Sequence, residues 1–172
     1  SFGTAIGTAV VFTGGAGADT VTTTTAMTAA STMGAGNDTV TYGGVASTAT
    51  GLVGSMAAGT GTDTIIMTDA QATSAFATAA FNTAFTGFET LQISDSFIED
   101  DLDLDGLNNV TTVILAAGAN TASILNLDSG GTVQFNDTNS AGTTTIAVDS
   151  AAFNASDILN LTISNSSDVY AT

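Results

Sequence analysis

The chain of 172 residues contains no Lys, Arg, His, Cys, Pro or Trp. Each absence closes a class of function. Without Lys or Arg nothing can replace the counterions of a nucleic-acid backbone, so nucleic-acid binding is excluded. The same lack removes the polybasic patch that holds a protein on anionic lipid. Without Cys there is neither a disulfide nor a thiolate metal ligand. Acid–base or nucleophilic chemistry would rest on Asp, Glu, Ser, Thr and Tyr alone, and the chain is expected not to be an enzyme. No apolar run approaches the ~20 residues that cross a bilayer, so membrane insertion is not expected. The first residues lack the basic stretch and apolar run of a signal peptide. A start at Ser1 and a stop at Thr172 inside a polar run read as a mature product or as part of a longer protein.

What the chain does have is acid and threonine. Its 16 acidic side chains meet no fixed positive charge, giving a formal net charge of −16. Leu, Ile, Val and Phe together number only 40, so a thick globular core is hard to fill. Thr, the commonest of the strand formers at 33, favours extended backbone through its branched β-carbon. A thin core between short strands fits this composition, and the class reads as all-β.

Three segments repeat. Gly14-Gly15-Ala16-Gly17-Ala18-Asp19-Thr20-Val21 returns as Gly34-Ala35-Gly36-Asn37-Asp38-Thr39-Val40 and as Gly59-Thr60-Gly61-Thr62-Asp63-Thr64-Ile65. Each is glycine-x-glycine-x-Asp-Thr followed by a β-branched apolar residue. The first copy fits in full the nine-residue pattern G-G-x-G-x-D-x-U-x of calcium-binding β-roll repeats. The other two lack only its first glycine, replaced by Met33 and Ala58. Asp19 and Asp38 stand 19 residues apart, close to one coil of two nine-residue halves. Asp38 and Asp63 stand 25 apart, which predicts an insertion around residues 51–57. Stacked tight turns need the positive φ and close backbone approach that glycine allows. Carbonyls and carboxylates gathered between such turns suit a hard cation with six or more oxygen ligands, and calcium suits it best. The candidate metal residues are therefore Gly15, Gly17, Asp19, Gly34, Gly36, Asp38, Gly59, Gly61 and Asp63.

From Asp69 to Phe88 the texture changes. Phe76, Phe81, Phe85 and Phe88 in Ala-rich sequence predict a short amphipathic helix closed by Gly87, its aromatics serving packing. Glu89 to Ser94 alternates and reads as a strand. Short strands are then expected at Leu102–Leu104, Val113–Leu115, Ile124–Leu127, Val133–Phe135, Ile146–Val148 and Ile158–Ile163. Such spacing suits the sides of a β-helix or a sandwich with tight hairpins, and the scarcity of Asn-Gly and Asp-Gly pairs favours the β-helix. The chain thus divides into calcium-type repeats over 1–68, a helical insertion over 69–88 and a β-helix continuation over 89–172.

A second acidic group comprises Asp95, Glu99, Asp100, Asp101, Asp103 and Asp105. Asp101, Asp103 and Asp105 alternate with Leu102 and Leu104, so a strand there would turn three carboxylates to one face. With no basic residue in the chain, these charges are solvated, protonated or bound to cations. Asp95, Asp100, Asp101, Asp103 and Asp105 are accordingly a second candidate metal group, with a solvated acidic turn as the alternative. A carboxylate pair for glycoside hydrolysis is the remaining reading, weakened by the shortage of aromatic platforms for sugar.

The three Gly-x-Gly-x-Asp turns resemble RTX proteins, which leave Gram-negative bacteria by type I secretion. The Ala-rich segment leading into Gly87-Phe88-Glu89-Thr90-Leu91, then Leu107-Asn108-Asn109-Val110-Thr111-Thr112-Val113 and Asp157-Ile158-Leu159-Asn160-Leu161-Thr162, is similar to the RTX-type surface-layer proteins of alphaproteobacteria. That resemblance implies a right-handed parallel β-helix or β-roll solenoid, calcium-driven folding outside the cell, and a homo-oligomeric lattice or filament at the cell surface. Any hold on cell-surface polysaccharide would run through parts not in this chain. Only three repeats occur and they are not in tandem, so a long pure β-roll is not expected. A homopolymeric fibre and an adhesin or ice-binding segment are the alternatives. Ice binding calls for a long Thr ladder in register, which three irregular repeats are not expected to supply.

Overall fold

In a computed structural model of the chain, the described residues are 10–23, 29–43, 54–76, 79–98, 101–106, 109–137, 143–149 and 156–163. The odd-numbered strands among them build one sheet. They are β1 (Thr20–Thr23), β3 (Thr39–Tyr42), β5 (Thr64–Met67), β7 (Thr90–Ile93), β9 (Thr112–Leu115), β11 (Thr132–Phe135) and β13 (Asn160–Ile163). They lie side by side in sequence order, and every neighbouring pair is parallel. The even-numbered strands are β2 (Ala30–Thr32), β4 (Ser55–Ala57), β6 (Phe85–Thr86), β8 (Asp101–Asp103), β10 (Ala122–Leu127) and β12 (Thr144–Val148). They form two three-stranded parallel sheets, β2-β4-β6 and β8-β10-β12. The fold is all-β and parallel. The chain leaves the large sheet after each odd strand, adds an even strand, and returns beside its previous pass.

Register explains why the repeats could be read at all. Each odd strand aligns residue for residue with the next, so columns of like residues run across the sheet. Val21, Val40, Ile65, Leu91, Val113 and Val133 share one inward column, and all are buried. Thr20, Thr39, Thr64, Thr90, Thr112 and Thr132 share another column, exposed at Thr20, buried at Thr90 and half-buried at the others, that ends in Asn160. A threonine ladder six long therefore exists, against the expectation that irregular repeats would not supply one. Parallel pairing keeps strand starts in line however many residues lie between them. The neighbouring outward column is mixed, running Thr22, Thr41, Ile66, Gln92, Ile114 and Gln134.

Two local expectations need correcting. The span expected to hold the extra residues of the second interval, 51–57, is corrected at its end, because Ser55–Ala57 is β4 and pairs in register with Ala30–Thr32. From β2 to β3 and from β4 to β5 the starts are nine residues apart in both passes. The added length therefore falls between Tyr42 and Ser55. The single helix closing at Gly87 is instead two, α1 (Asp69–Phe76) and α2 (Ala79–Ala84), followed at once by strand β6. A capping box starts α1: the Thr68 N–H donates to Gln71 Oε1 at 2.9 Å and the Gln71 N–H donates to Thr68 Oγ1 at 3.3 Å. Past Ala84 extension wins over helix because Phe85 and Thr86 pair with Met56 and Ala57. Phe85 also stacks on Phe81 at 4.5 Å and meets Tyr42 edge-on at 5.3 Å. Phe81, Phe85 and Phe88 are all buried, as packing aromatics should be. Among the described residues no helix is long and apolar enough to cross a membrane.

Candidate metal centre

The three Gly-rich turns stack. The Ala35 N–H donates to the Gly15 carbonyl at 2.8 Å, and the Thr60 N–H donates to the Gly34 carbonyl at 3.0 Å. Backbones come so close that side chains do not fit. A Cβ on Gly59, whose φ is +106°, would stand 1.9 Å from the Gly34 carbonyl oxygen. One on Gly61, with φ +146°, would stand 2.0 Å from that of Gly36. Gly15, Gly34 and Gly59 thus line up across the passes, as do Gly17, Gly36 and Gly61. Both sets were singled out from the sequence.

Each turn delivers its Asp to the residue just before an odd strand, so Asp19, Asp38 and Asp63 form a column. The column has an internal logic. The Asp19 N–H donates to Asp38 Oδ1 at 2.7 Å, and the Asp38 N–H donates to Asp63 Oδ1 at 2.7 Å. The Asp63 N–H donates in turn to Glu89 Oε2 at 2.8 Å. The carboxylates of Asp38, Asp63 and Glu89 each cap the backbone of the pass before, a charge-assisted bond of ~1.5–3 kcal/mol. At the first turn Asp19 also folds back, its Oδ2 accepting from the Gly15 N–H at 3.1 Å.

In Asp38 and Asp63 one oxygen is used this way, and the other is left over. Asp38 is 1% exposed and Asp63 is fully buried, yet Oδ2 of each has no hydrogen-bond partner. A buried acceptor without a donor costs ~1–3 kcal/mol, and more when charged. Burial pushes the Asp63 carboxyl above its ordinary range; the Asp38 N–H draws it down, and the charges of Asp38 and Glu89 push it up again. An oxygen-seeking cation would remove this cost, and carboxylate and carbonyl oxygens are the donors that calcium takes. Among the described residues no three acidic side chains gather around one point.

A second pairing lies at the far end of the same strands. The Asp69 N–H donates to Asp95 Oδ1 at 2.7 Å, and Asp69 Oδ2 accepts from the Ile98 N–H at 2.8 Å. Asp95 therefore ties the start of α1 to the following pass and stands apart from the rest of its acidic run. Asp101 and Asp103 are exposed on β8 while Leu102 between them is buried. The strand ends at Asp103, and Asp105 sits in a 3-10 turn with its N–H donating to Asp103 Oδ1 at 3.1 Å. Asp103 Oδ1 also accepts from Asn126 Nδ2 at 2.8 Å. Glu99 and Asp100 lie outside the described residues.

Two members were missed from the sequence. Glu89 continues the Asp column, and its signal was the ending Glu89-Thr90-Leu91, which repeats Asp63-Thr64-Ile65 with Glu for Asp. Asp69 carried no repeat signal and read only as the edge of a helix. No family model, curated protein or solved structure matches the chain.

Proposed function

We propose that this chain is a calcium-binding extracellular structural protein whose passes stack as a right-handed parallel β-helix of RTX type and which self-assembles into a surface layer. The observation that carries this reading is the column of buried carboxylates with orphaned oxygens in a chain without a single cation. Asp38 and Asp63 would hold the ion between neighbouring turns, with turn carbonyls and water completing its shell. Calcium supplies positive charge that the protein lacks, so its binding free energy becomes folding free energy. Without it, 16 carboxylates repel one another and oppose compaction.

Assembly follows from the same arithmetic. Two copies of this chain have no salt bridge to offer each other, so contacts are apolar, hydrogen-bonded through Thr, Ser and Asn, or bridged by divalent ions. The exposed Asp101 and Asp103 are suited to such a bridge. Right-handed crossover is the norm for parallel strands. No catalytic role is assigned to any residue. A second reading, an ice-binding or adhesive face, is favoured by the threonine column from Thr20 to Thr132, although its mixed neighbouring column breaks the regularity. Circular dichroism and negative-stain imaging across a calcium series at fixed ionic strength test the assignment. Strand signal and ordered sheets or fibres should appear in millimolar calcium and vanish with chelator. A strand spectrum indifferent to chelation would sink the reading, and thermal hysteresis without assembly would favour the ice-binding face.

A further inference from the structure

We propose that copies of this chain stack end to end, the last pass of one laid against the first pass of the next, so that the parallel sheet runs on across the joint. The inference rests on the self-assembly reading above and names the surfaces that carry it. Among the described residues β1 and β13 are the two edges of the seven-stranded sheet, each with a neighbour on one side only. An edge strand left open is a template for a further strand.

The two edges match each other. The Thr39 N–H donates to the Asp19 carbonyl and the Asn160 N–H to the Gly131 carbonyl, both at 2.9 Å, so the first residue of an odd strand faces the pass before it. Along a parallel pair the backbone groups of successive residues point to opposite sides. Leu161 and Ile163 therefore turn their N–H and C=O groups to the open side of β13, and Thr20 and Thr22 turn theirs to the open side of β1. A second copy brings these rows together in the register that internal pairs already use, with Thr20 beside Asn160 and Val21 beside Leu161.

Side chains single out the same ends. Leu161 and Ile163 continue the columns of Val133 and Phe135, which are buried, yet they stand 46% and 38% exposed. Val10, Val11, Ile158 and Leu159 are exposed beside the same two edges, and among the described residues Ile98 is the one large exposed apolar side chain between the ends. Charge makes a second copy the fitting occupant. Of the 16 acidic residues only Asp19 precedes Asp38, and only Asp149, Asp157 and Asp168 follow Asp137. Like-charged copies therefore repel least where their ends meet. A head-to-tail contact that does not close into a ring grows an open filament.

The test is sedimentation velocity and negative-stain imaging of the full chain in saturating calcium, comparing the wild type with Leu161→Glu and Thr121→Glu. Leu161 is exposed on the last strand, so Leu161→Glu should keep the wild-type circular dichroism spectrum while the concentration needed for filaments rises at least ~tenfold. Its intact first pass still docks on a wild-type end, so a minor fraction of Leu161→Glu mixed into wild type should shorten the filaments. Thr121→Glu puts the same charge at an exposed position beside the inner strand β10 and should assemble as the wild type does. Wild-type assembly by Leu161→Glu, equal loss in both variants, or mixing that leaves filament length unchanged overturns the end contact alone. A wild type that stays monomeric overturns the self-assembly reading with it. Should Leu161→Glu fail to gain the wild-type strand signal, Leu161→Thr decides, because Thr keeps a strand former there. A raised assembly concentration in Leu161→Thr supports the contact, and unchanged assembly overturns it.

Discussion

Replacing Gly59 by alanine tests the stacked turns without touching a carboxylate. Two costs add. The φ of +106° lies where L-residues are strained, at ~1–2 kcal/mol. The new Cβ would sit 1.9 Å from the Gly34 carbonyl oxygen, so one turn must shift by more than 1 Å against its neighbour. Overpacking of that kind costs ~1–3 kcal/mol. Against these, alanine restricts the unfolded chain and returns ~0.4–1 kcal/mol. The net loss is ~2–4 kcal/mol. At a urea m-value of ~2 kcal/mol/M, the midpoint falls by roughly 1–2 M. Gly15→Ala is the matched control, since a Cβ there meets nothing within 4 Å. Its change should stay within ~0.5 kcal/mol. Urea unfolding of both variants in saturating calcium, followed by circular dichroism, makes the comparison. Equal midpoints for Gly59→Ala and Gly15→Ala would show that the turns do not stack as described.

Two further outcomes are expected. Asp38→Ala should raise the calcium needed for folding more than Asp149→Ala does, because Asp38 caps the Asp19 N–H at 2.7 Å and brings a buried orphan oxygen; equal calcium midpoints by circular dichroism would mean the charge acts diffusely. In chelator, the raised Asp63 carboxyl favours the metal-free fold as pH is lowered, because protonation removes a buried charge that no cation then balances. A group whose folded pKa lies above its unfolded value contributes stability below the unfolded value and loses it as pH rises through the folded one. Circular dichroism in chelator should therefore show strand signal growing as pH is lowered, and Asp63→Asn should weaken that dependence; a wild type that gains no strand signal at lower pH contradicts the sign.

Much of the architecture was legible because parallel stacking copies a local pattern onto itself. Thr39-Val40 and Thr64-Ile65 announce strands by alternation, and the Gly-x-Gly-x-Asp turns before them announce where they begin. The later strands came out within one or two residues of their expected limits, Thr112–Leu115 and Thr132–Phe135 among them. The region after Asp69 was less legible. Helical spacing of its Phe residues ran on through Phe85, and only the partner strand Ser55–Ala57 decides that Phe85 is extended. In the candidate site, the Asp positions were readable but their bonding was not. A capping bond from one pass to the next spans 19 to 26 residues and leaves no local mark. Glu89 was hidden by a turn with one glycine where the others have two or three.

The carboxylate column also divides the molecule. Before the first four odd strands stand Asp19, Asp38, Asp63 and Glu89; before the next three stand Thr111, Gly131 and Leu159. The later passes keep the backbone bonds that all passes share and carry no carboxylate before the strand. The Thr111 N–H donates to the Glu89 carbonyl at 2.9 Å, and the Thr132 N–H donates to that of Thr111 at 2.8 Å. There the interior is filled by Leu102, Val113, Leu115, Ile124, Leu127 and Val133, all buried. Stacked passes interact mainly with their nearest neighbours, so different parts of such a molecule can differ in stability. The early passes should therefore depend on calcium and the later ones much less. Hydrogen exchange across a falling calcium series should show Val40, Thr41 and Ile65 losing protection first, with Val113, Ile114 and Ile124 holding to lower calcium. Simultaneous loss in β3, β5, β9 and β10 would mean that calcium holds the whole stack as one unit. Earlier loss in β9 and β10 would place the calcium dependence away from the Asp column.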